Sequence, residues 1–426
     1  MRSIGLFGAV SIGIGGMVGG GIFAVLGEAV SLSHGATAVS FFLAGLVALL
    51  SAYAYAKLSV RFQSEGGTVV FVDKAFGDNI LSGAINLMLW LSYLITISLY
   101  ATAFADYGQT FFPNSSPLLK HTLISLAIIV PAIINFISAS FVSKSETLIV
   151  FIKVSLLLLI IIVGAKYVDP SRMSPHNWGT PLSIVTAGMI IFVAYEGFEL
   201  IANAAEDIKD PQKNLPRAFY ISVITVILLY IAISIITVGN VPEDQLLQAK
   251  DYALALAAKP SLGDIGFKIV AFAALLSTFS AINATIYGNA RLGYIIAKEG
   301  QLPKQLAVEK NDVPFMGVLY TTILSLFLAN TIDLSEIAII GSAGFLLIFL
   351  IVNISAYKLK EQIKANKHIL IFAILFSFLA LFTLLFHTYT SNPHAVIIFM
   401  SFVIISIIFE LIYGRLVRKT MCDRKY

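Results

Sequence analysis

Three ionisable side chains stand deep inside apolar sequence: Lys153, in the run from Thr147 to Ile160, and Glu196 and Glu199, in the segment from Phe192 to Glu199. Charge held in hydrocarbon is expensive, and where it persists it marks proton relays, ion sites or substrate sites. Lys153 lies seven residues into its run, about 10 Å of helical rise and roughly a third of a bilayer core. It either snorkels to the near surface on its long stem or buries an ammonium that can release and regain a proton. Glu196 and Glu199 are three residues apart, so a continuous helix would put them on one face. Gly197 between them allows the chain to unwind and the two to diverge. Glu199 also suits the N-terminus of a half-helix, where a carboxylate is favoured.

A second kind of chemistry comes from backbone. Six of the nine residues from Gly13 to Gly21 are glycine, and each costs a helix about 1 kcal/mol relative to alanine. A span this rich in glycine should unwind near its middle. Freed N–H and C=O groups are tolerated in a membrane only where they line a cavity or meet protein. Helix packing is the alternative, since Gly15/Gly19 and Gly16/Gly20 are small-xxx-small pairs. A phosphate-binding loop is excluded, because no Lys-Ser/Thr and no βα pattern follow. Half-helix N-termini suit a carboxylate and unwound carbonyls suit an ammonium. Together they describe a cradle for an α-amino acid or a similar zwitterion.

These groups must be positioned by membrane helices. The 426 residues are 58% hydrophobic and 12% charged, against roughly 45–50% and 25% in soluble domains. Apolar runs fall at 4–31, 35–58, 80–108, 121–139, 146–165, 181–205, 216–239, 262–297, 316–331, 335–356, 368–388 and 394–414. They are too long for barrel strands, so the expected fold is an all-α polytopic membrane protein of twelve transmembrane helices. With the N-terminus inside, 21 lysines and arginines fall on inner segments and six on outer ones, with Lys153 left in a span. Both termini are therefore expected in the cytoplasm of a plasma-membrane protein. The runs at 4–31 and 181–205 hold corresponding places in two five-helix halves, 4–165 and 181–356. Because five is odd the halves are inverted, which points to a secondary transporter with its site at the midplane. Helices 11 and 12 (368–414) lie outside the repeat and are candidates for a homodimer contact, and 415–426 form a basic tail. The whole is read as a single transport domain.

The run from Gly13 to Phe23 resembles the first-helix signature of the amino acid–polyamine–organocation (APC) transporters. Ala194 to Glu199 with Ala204 to Ala218 resembles their sixth helix and following loop, and Asn289 to Pro303 the end of their eighth. With Gly77-Asp78-Asn79 and Lys153, the chain is most similar to the archaeal ApcT-type proton-coupled amino acid transporters. The resemblance implies a LeuT-type 5+5 inverted repeat with helices 1 and 6 broken, and proton symport of an amino acid by alternating access, without a cofactor. It implies that amides of Gly20 and Gly21 hold a substrate carboxylate. Carbonyls of Met17, Val18, Val193, Ala194 and Glu196 would surround the amine, with Phe192 and Tyr195 as lining or gate. Lys153 would take the place of a coupling sodium ion against carbonyls near Gly13 to Gly16, and Glu199 would be a proton-sensitive group. Many relatives have an apolar residue at the position of Glu196, which leaves cationic amino acids, polyamines and exchange open as alternatives, along with a non-transporting sensor.

Other residues suggest less. Glu206 and Asp207 read as a solvated loop pair. Asp106, Glu28, Lys268 and Glu410 read as interfacial, Trp90 and Trp178 as anchors, and Arg291 as either a snorkelling side chain or the partner of an acidic loop residue. No pair of the six histidines has metal-ligand spacing and no nucleophile-elbow pattern occurs, so an enzyme is not expected. One cysteine, Cys422, excludes a disulfide framework.

Overall fold

The computed structural model describes residues 2–77, 79–137, 139–310 and 313–418. Asp78 and the tail from 419 onward, with Cys422, lie outside the described residues. The expected runs coincide with helices. The first is a bent pair, α1 (Leu6–Met17) and α2 (Gly21–Ser33), turned by 48° at the glycines between them. Then come α3 (Thr37–Arg61), α4 (Thr68–Phe76), α5 (Ile80–Gln109), α6 (Pro117–Ile137) and α7 (Ala139–Gly164). The next span divides into α8 (Pro181–Ile190), a 3₁₀ turn (Ile191–Tyr195) and the short α9 (Leu200–Asn203). After it come α10 (Pro211–Asn240), the short α11 (Glu243–Gln248) and α12 (Ala253–Ala257), and α13 (Lys259–Lys298), which is kinked at Gly263 (φ +64°). The last four are α14 (Phe315–Thr331), α15 (Leu334–Lys358), α16 (Lys367–Ser391) and α17 (Pro393–Tyr413).

Among the described residues ten spans are long and apolar enough to cross a membrane, and the bent pair, taken as one span, makes an eleventh. The expected twelfth, α14, has 17 residues, about 26 Å of rise against a hydrocarbon core of roughly 30 Å. No β-ladder is present among the described residues, only isolated bridges. The molecule is a multi-pass, all-helical membrane protein.

The core follows from which helices are apolar all round. α5 and α15 are buried along most of their length, whereas α6, α16 and α17 turn an apolar face outward, as expected of helices that meet lipid. α3 packs along α10, and α5 along α13. These scaffold helices surround the two interrupted spans. The N-terminus is strapped to the loop after α9, where Ile4 N–H donates to Asp207 O and Lys209 N–H donates to Ile4 O, at 3.0 and 2.8 Å.

Candidate functional site

Both interruptions leave backbone groups without helical partners, and side chains from the scaffold meet them. At the first, Val18 leaves the helix (ψ +40°) after its N–H has bonded Ile14 O. Beyond that point the Tyr230 hydroxyl (α10) lies 2.7 Å from Met17 O, and Ser277 Oγ (α13) donates to Gly19 O at 2.6 Å. At the second, Glu196 is extended and Gly197 has φ +117°, which is open to glycine and strained for other residues. Ser342 Oγ (α15) accepts from Val193 N–H and donates to Ile190 O. The Tyr195 hydroxyl donates to Phe41 O in α3. Tyr230 also lies 3.1 Å from Ala194 O, so one hydroxyl touches both breaks.

The breaks cross in direct contact. A Cβ on Gly16 would fall 2.6 Å from Gly197 O, and one on Gly21 would fall 2.7 Å from the Ala194 Cα. The Tyr100 ring lies against Gly20 so closely that no side chain fits there. Only glycine allows backbones to approach in this way.

The three intramembrane charges gather at this crossing, each at most 3% exposed. The Lys153 ammonium (α7) donates to Gly15 O at 3.2 Å. Glu199 is turned back on the second break, accepting from Gly197 N–H at 2.8 Å and from the Tyr93 hydroxyl at 3.0 Å. Glu196 accepts from the Tyr100 hydroxyl at 3.3 Å. The two carboxylates therefore diverge at Gly197, and each is held by a tyrosine of α5.

A narrow cavity, partly open to solvent, extends from the crossing. Gly15, Gly16, Lys153, Glu196, Tyr93 and Tyr100 border it on one side, and the α13 face from Ser280 to Leu292 on the other. Asn203 and Gly288, both in its lining, are exposed. Of the residues expected from the sequence, it brings together Lys153 and Glu196. Met17, Val18, Gly20, Gly21, Phe192, Val193, Ala194 and Tyr195 are buried beside it, within the crossing. Sequence reasoning missed Tyr93, Tyr100, Tyr230, Ser277 and Asn289. The available signal was hydroxyl and amide side chains within apolar runs, with Tyr93 and Tyr100 two turns apart on α5.

Several residues expected at the interface are buried within the protein. Glu28 and Asp106 are 5% and 4% exposed. Their charges are met by Lys250 at 2.7 Å and Lys120 at 2.6 Å. Glu410 is buried against Gly83, and Trp90 is buried against Gly293, its indole N–H without a partner. The low charge density of the flanking sequence hid these burials, because position in a run gives depth and not the neighbour across it. Lys268 is exposed. Arg291 pairs with acidic loop residues, Glu309 at 3.1 Å and Glu65 at 3.7 Å. Among the described residues no His/Cys/Asp/Glu cluster has the makings of a metal site.

Comparison with known proteins agrees with this architecture. The family described as amino acid permease matches residues 4–409. An uncharacterised protein of Methanocaldococcus jannaschii is 35% identical, over 100% of this chain and 98% of its own. The inner membrane transport protein YbaT of Escherichia coli is 34% identical over 97% of each. The methylthioribose transporter of Bacillus subtilis is 28% identical over 86% of this chain and 83% of its own. Broken spans around a partly open cavity, matched over almost the whole chain by transporters and not by enzymes, place it: the chain belongs to the amino acid permease family, within the APC superfamily.

Proposed function

We propose that the protein carries an amino acid across the plasma membrane by proton-coupled symport, alternating access between the two sides. The observation that carries this reading is the Lys153 ammonium on Gly15 O, at the end of the first half-helix. A fixed cation there serves where a bound sodium ion otherwise would. When Lys153 gives up its proton, the bond that steadies α1 weakens and the half-helix is released.

The substrate carboxylate meets the amides of Gly20 and Gly21, and its amine the carbonyls of Met17, Val18, Val193, Ala194 and Glu196. Phe192 and Tyr195 wall this space. The Tyr100 ring stands over Gly20, so substrate entry requires it to turn, which also frees Glu196. Glu199, bonded across Gly197, is the second proton-sensitive group. We read the N-terminal face as cytoplasmic from the bias in lysine and arginine, and the cavity as opening toward it past the exposed Asn203. Twelve spans in a LeuT-type 5+5 inverted repeat are supported by the packing of α3 on α10 and α5 on α13. These are the second span on the seventh and the third on the eighth, pairs that a twofold relation of halves maps onto themselves.

Uptake by proteoliposomes, competed with every amino acid and with polyamines, tests the proposal when run with and without sodium and a pH gradient. Uptake should follow the pH gradient, ignore sodium and vanish in Lys153→Ala at unchanged folding. Sodium-dependent uptake, or pH-driven uptake that survives in Lys153→Ala, would overturn it.

A further inference from the structure

We propose that the seam where α3 meets the turn between α15 and α16 binds the phosphate headgroup of an anionic phospholipid. The site is independent of the transport reading above. Lys57 of α3, Lys364 of the turn and Lys367 at the start of α16 meet there. The Lys57 ammonium donates to Lys364 O at 3.3 Å, and the Asn366 N–H donates to the Tyr53 hydroxyl of α3 at 2.7 Å. None of the three lysines has an ion pair among the described residues. From Tyr357 to His368 one acidic residue, Glu361, stands against four lysines. Two of the four are already engaged, with the Lys358 ammonium 4.2 Å from the centre of the Phe76 ring and that of Lys360 4.7 Å from the Tyr357 ring.

The other two, both exposed, stand where local backbone physics disfavours them. Lys364 has φ +50° and closes the turn after α15, with the Ala365 N–H donating back to Lys360 O at 3.0 Å. Glycine is the usual residue at that place in a helix end. Lys367 is the first residue of α16, whose first turn holds no acidic side chain, although a helix N-terminus favours anions and disfavours cations. Local rules are broken where function requires it, and here both breaks add positive charge at one place. The general bias of lysine and arginine to one side of a membrane needs only their sign. It needs neither a lysine in the left-handed region nor one at a helix start. An anion on the seam answers both, because it meets the ammonium groups and the positive end of α16 together.

The surface beside the patch decides which anion. Lys367, Ile371, Leu375 and Leu379 follow one another every four residues along one stripe of α16, and all are exposed. α16 is one of the helices that turn an apolar face outward. About 6 Å of helical rise separates Lys367 from Ile371, so an anion held at the seam adjoins lipid-facing surface. A phospholipid satisfies both parts, with its phosphate on the lysines and an acyl chain along the stripe. Free phosphate satisfies only the first.

The test titrates purified full-length protein in detergent micelles with dioleoylphosphatidylglycerol or dioleoylphosphatidylcholine, and counts bound lipid by native mass spectrometry. The wild type should retain phosphatidylglycerol in preference to phosphatidylcholine. Lys57→Gln, Lys364→Gly and Lys367→Gln should each weaken its binding about fivefold, the worth of one lysine at an anionic surface. Lys213→Gln, which removes an exposed lysine elsewhere, should leave it unchanged. Without added lipid, Lys364→Gly should melt at or above the wild-type temperature, because glycine suits a positive φ; its weaker binding then reports the lost charge and not a damaged fold. Equal retention of the two lipids by the wild type overturns the proposal. So does a loss in Lys213→Gln as large as in the three seam variants. Displacement of phosphatidylglycerol by millimolar inorganic phosphate overturns it as well, by showing an anion site with no use for the acyl chain.

Discussion

One added methyl group at Gly16 tests whether the two broken spans cross in contact in solution. In Gly16→Ala the new Cβ would stand 2.6 Å from Gly197 O and 2.8 Å from its Cα. Both atoms are backbone, so no rotamer relieves them. Carbon contacts settle near about 3.5–4.0 Å, so the segments must part by about 1 Å. Such overpacking costs roughly 1–3 kcal/mol, and the cost falls only on conformations in which the breaks touch. Against a conformation in which they have separated, the balance shifts about 5- to 150-fold. Gly288→Ala is the matched control, because a Cβ there meets nothing within 4 Å, and alanine favours the helix by about 1 kcal/mol. Melting of purified protein and hydrogen–deuterium exchange over residues 191–203 read both effects. Gly16→Ala should melt earlier and exchange faster in that segment, while Gly288→Ala should melt at or above the wild-type temperature. A Gly16→Ala protein with wild-type melting and exchange would refute the crossing.

Two further perturbations probe the surroundings of the site. Lys250→Met leaves the Glu28 carboxylate, 6% exposed as a side chain, without its cation. Loss of one partner of a buried pair costs up to about 3–5 kcal/mol, and the half-exposed lysine lowers that to about 1–3 kcal/mol. Exchange in α11 and α12 should rise, and adding Glu28→Gln should restore much of the loss; an additive double variant would show that the pair does not hold this segment. Gly293→Ala sets a Cβ 2.9 Å from the Trp90 indole nitrogen, at a cost of about 1–3 kcal/mol visible in melting. Trp90→Phe should relieve it, and a Gly293→Ala protein as stable as wild type would mean that α5 and α13 are looser there than described.

What the sequence revealed and what it hid divide along a physical line. Properties that depend on one segment alone were legible. Apolar length gave the spans, glycine density gave the break after Met17, and Gly197 gave the divergence of Glu196 and Glu199. Lys153 stood out because an ammonium in an apolar run is rare whatever lies opposite. Properties that depend on what packs across the bundle were not legible. Glu28 and Glu199 look alike in sequence, each a carboxylate in an apolar run, yet one is met by Lys250 from a loop more than 200 residues away and the other by Tyr93 and its own local backbone. Tyr230 and Ser342 carry no local sign of their role, because a hydroxyl in a membrane helix is cheap to bury and frequent. Only the partner distinguishes a cap on a broken helix from a hydroxyl bonded to its own preceding turn.

That division also explains why most of the expected binding residues lie beside the cavity and not in its lining. The glycines were chosen as the place where backbone is free, but free backbone in an apolar medium cannot remain unmet. The scaffold meets it: Tyr230 at Met17 and Ala194, Ser277 at Gly19, and the Tyr100 ring over Gly20. On the proposed binding mode these groups sit where the substrate's own atoms would be required, so binding would exchange one set of hydrogen bonds for another. On that proposal the net affinity of the crossing is small, as a carrier that must release its cargo requires.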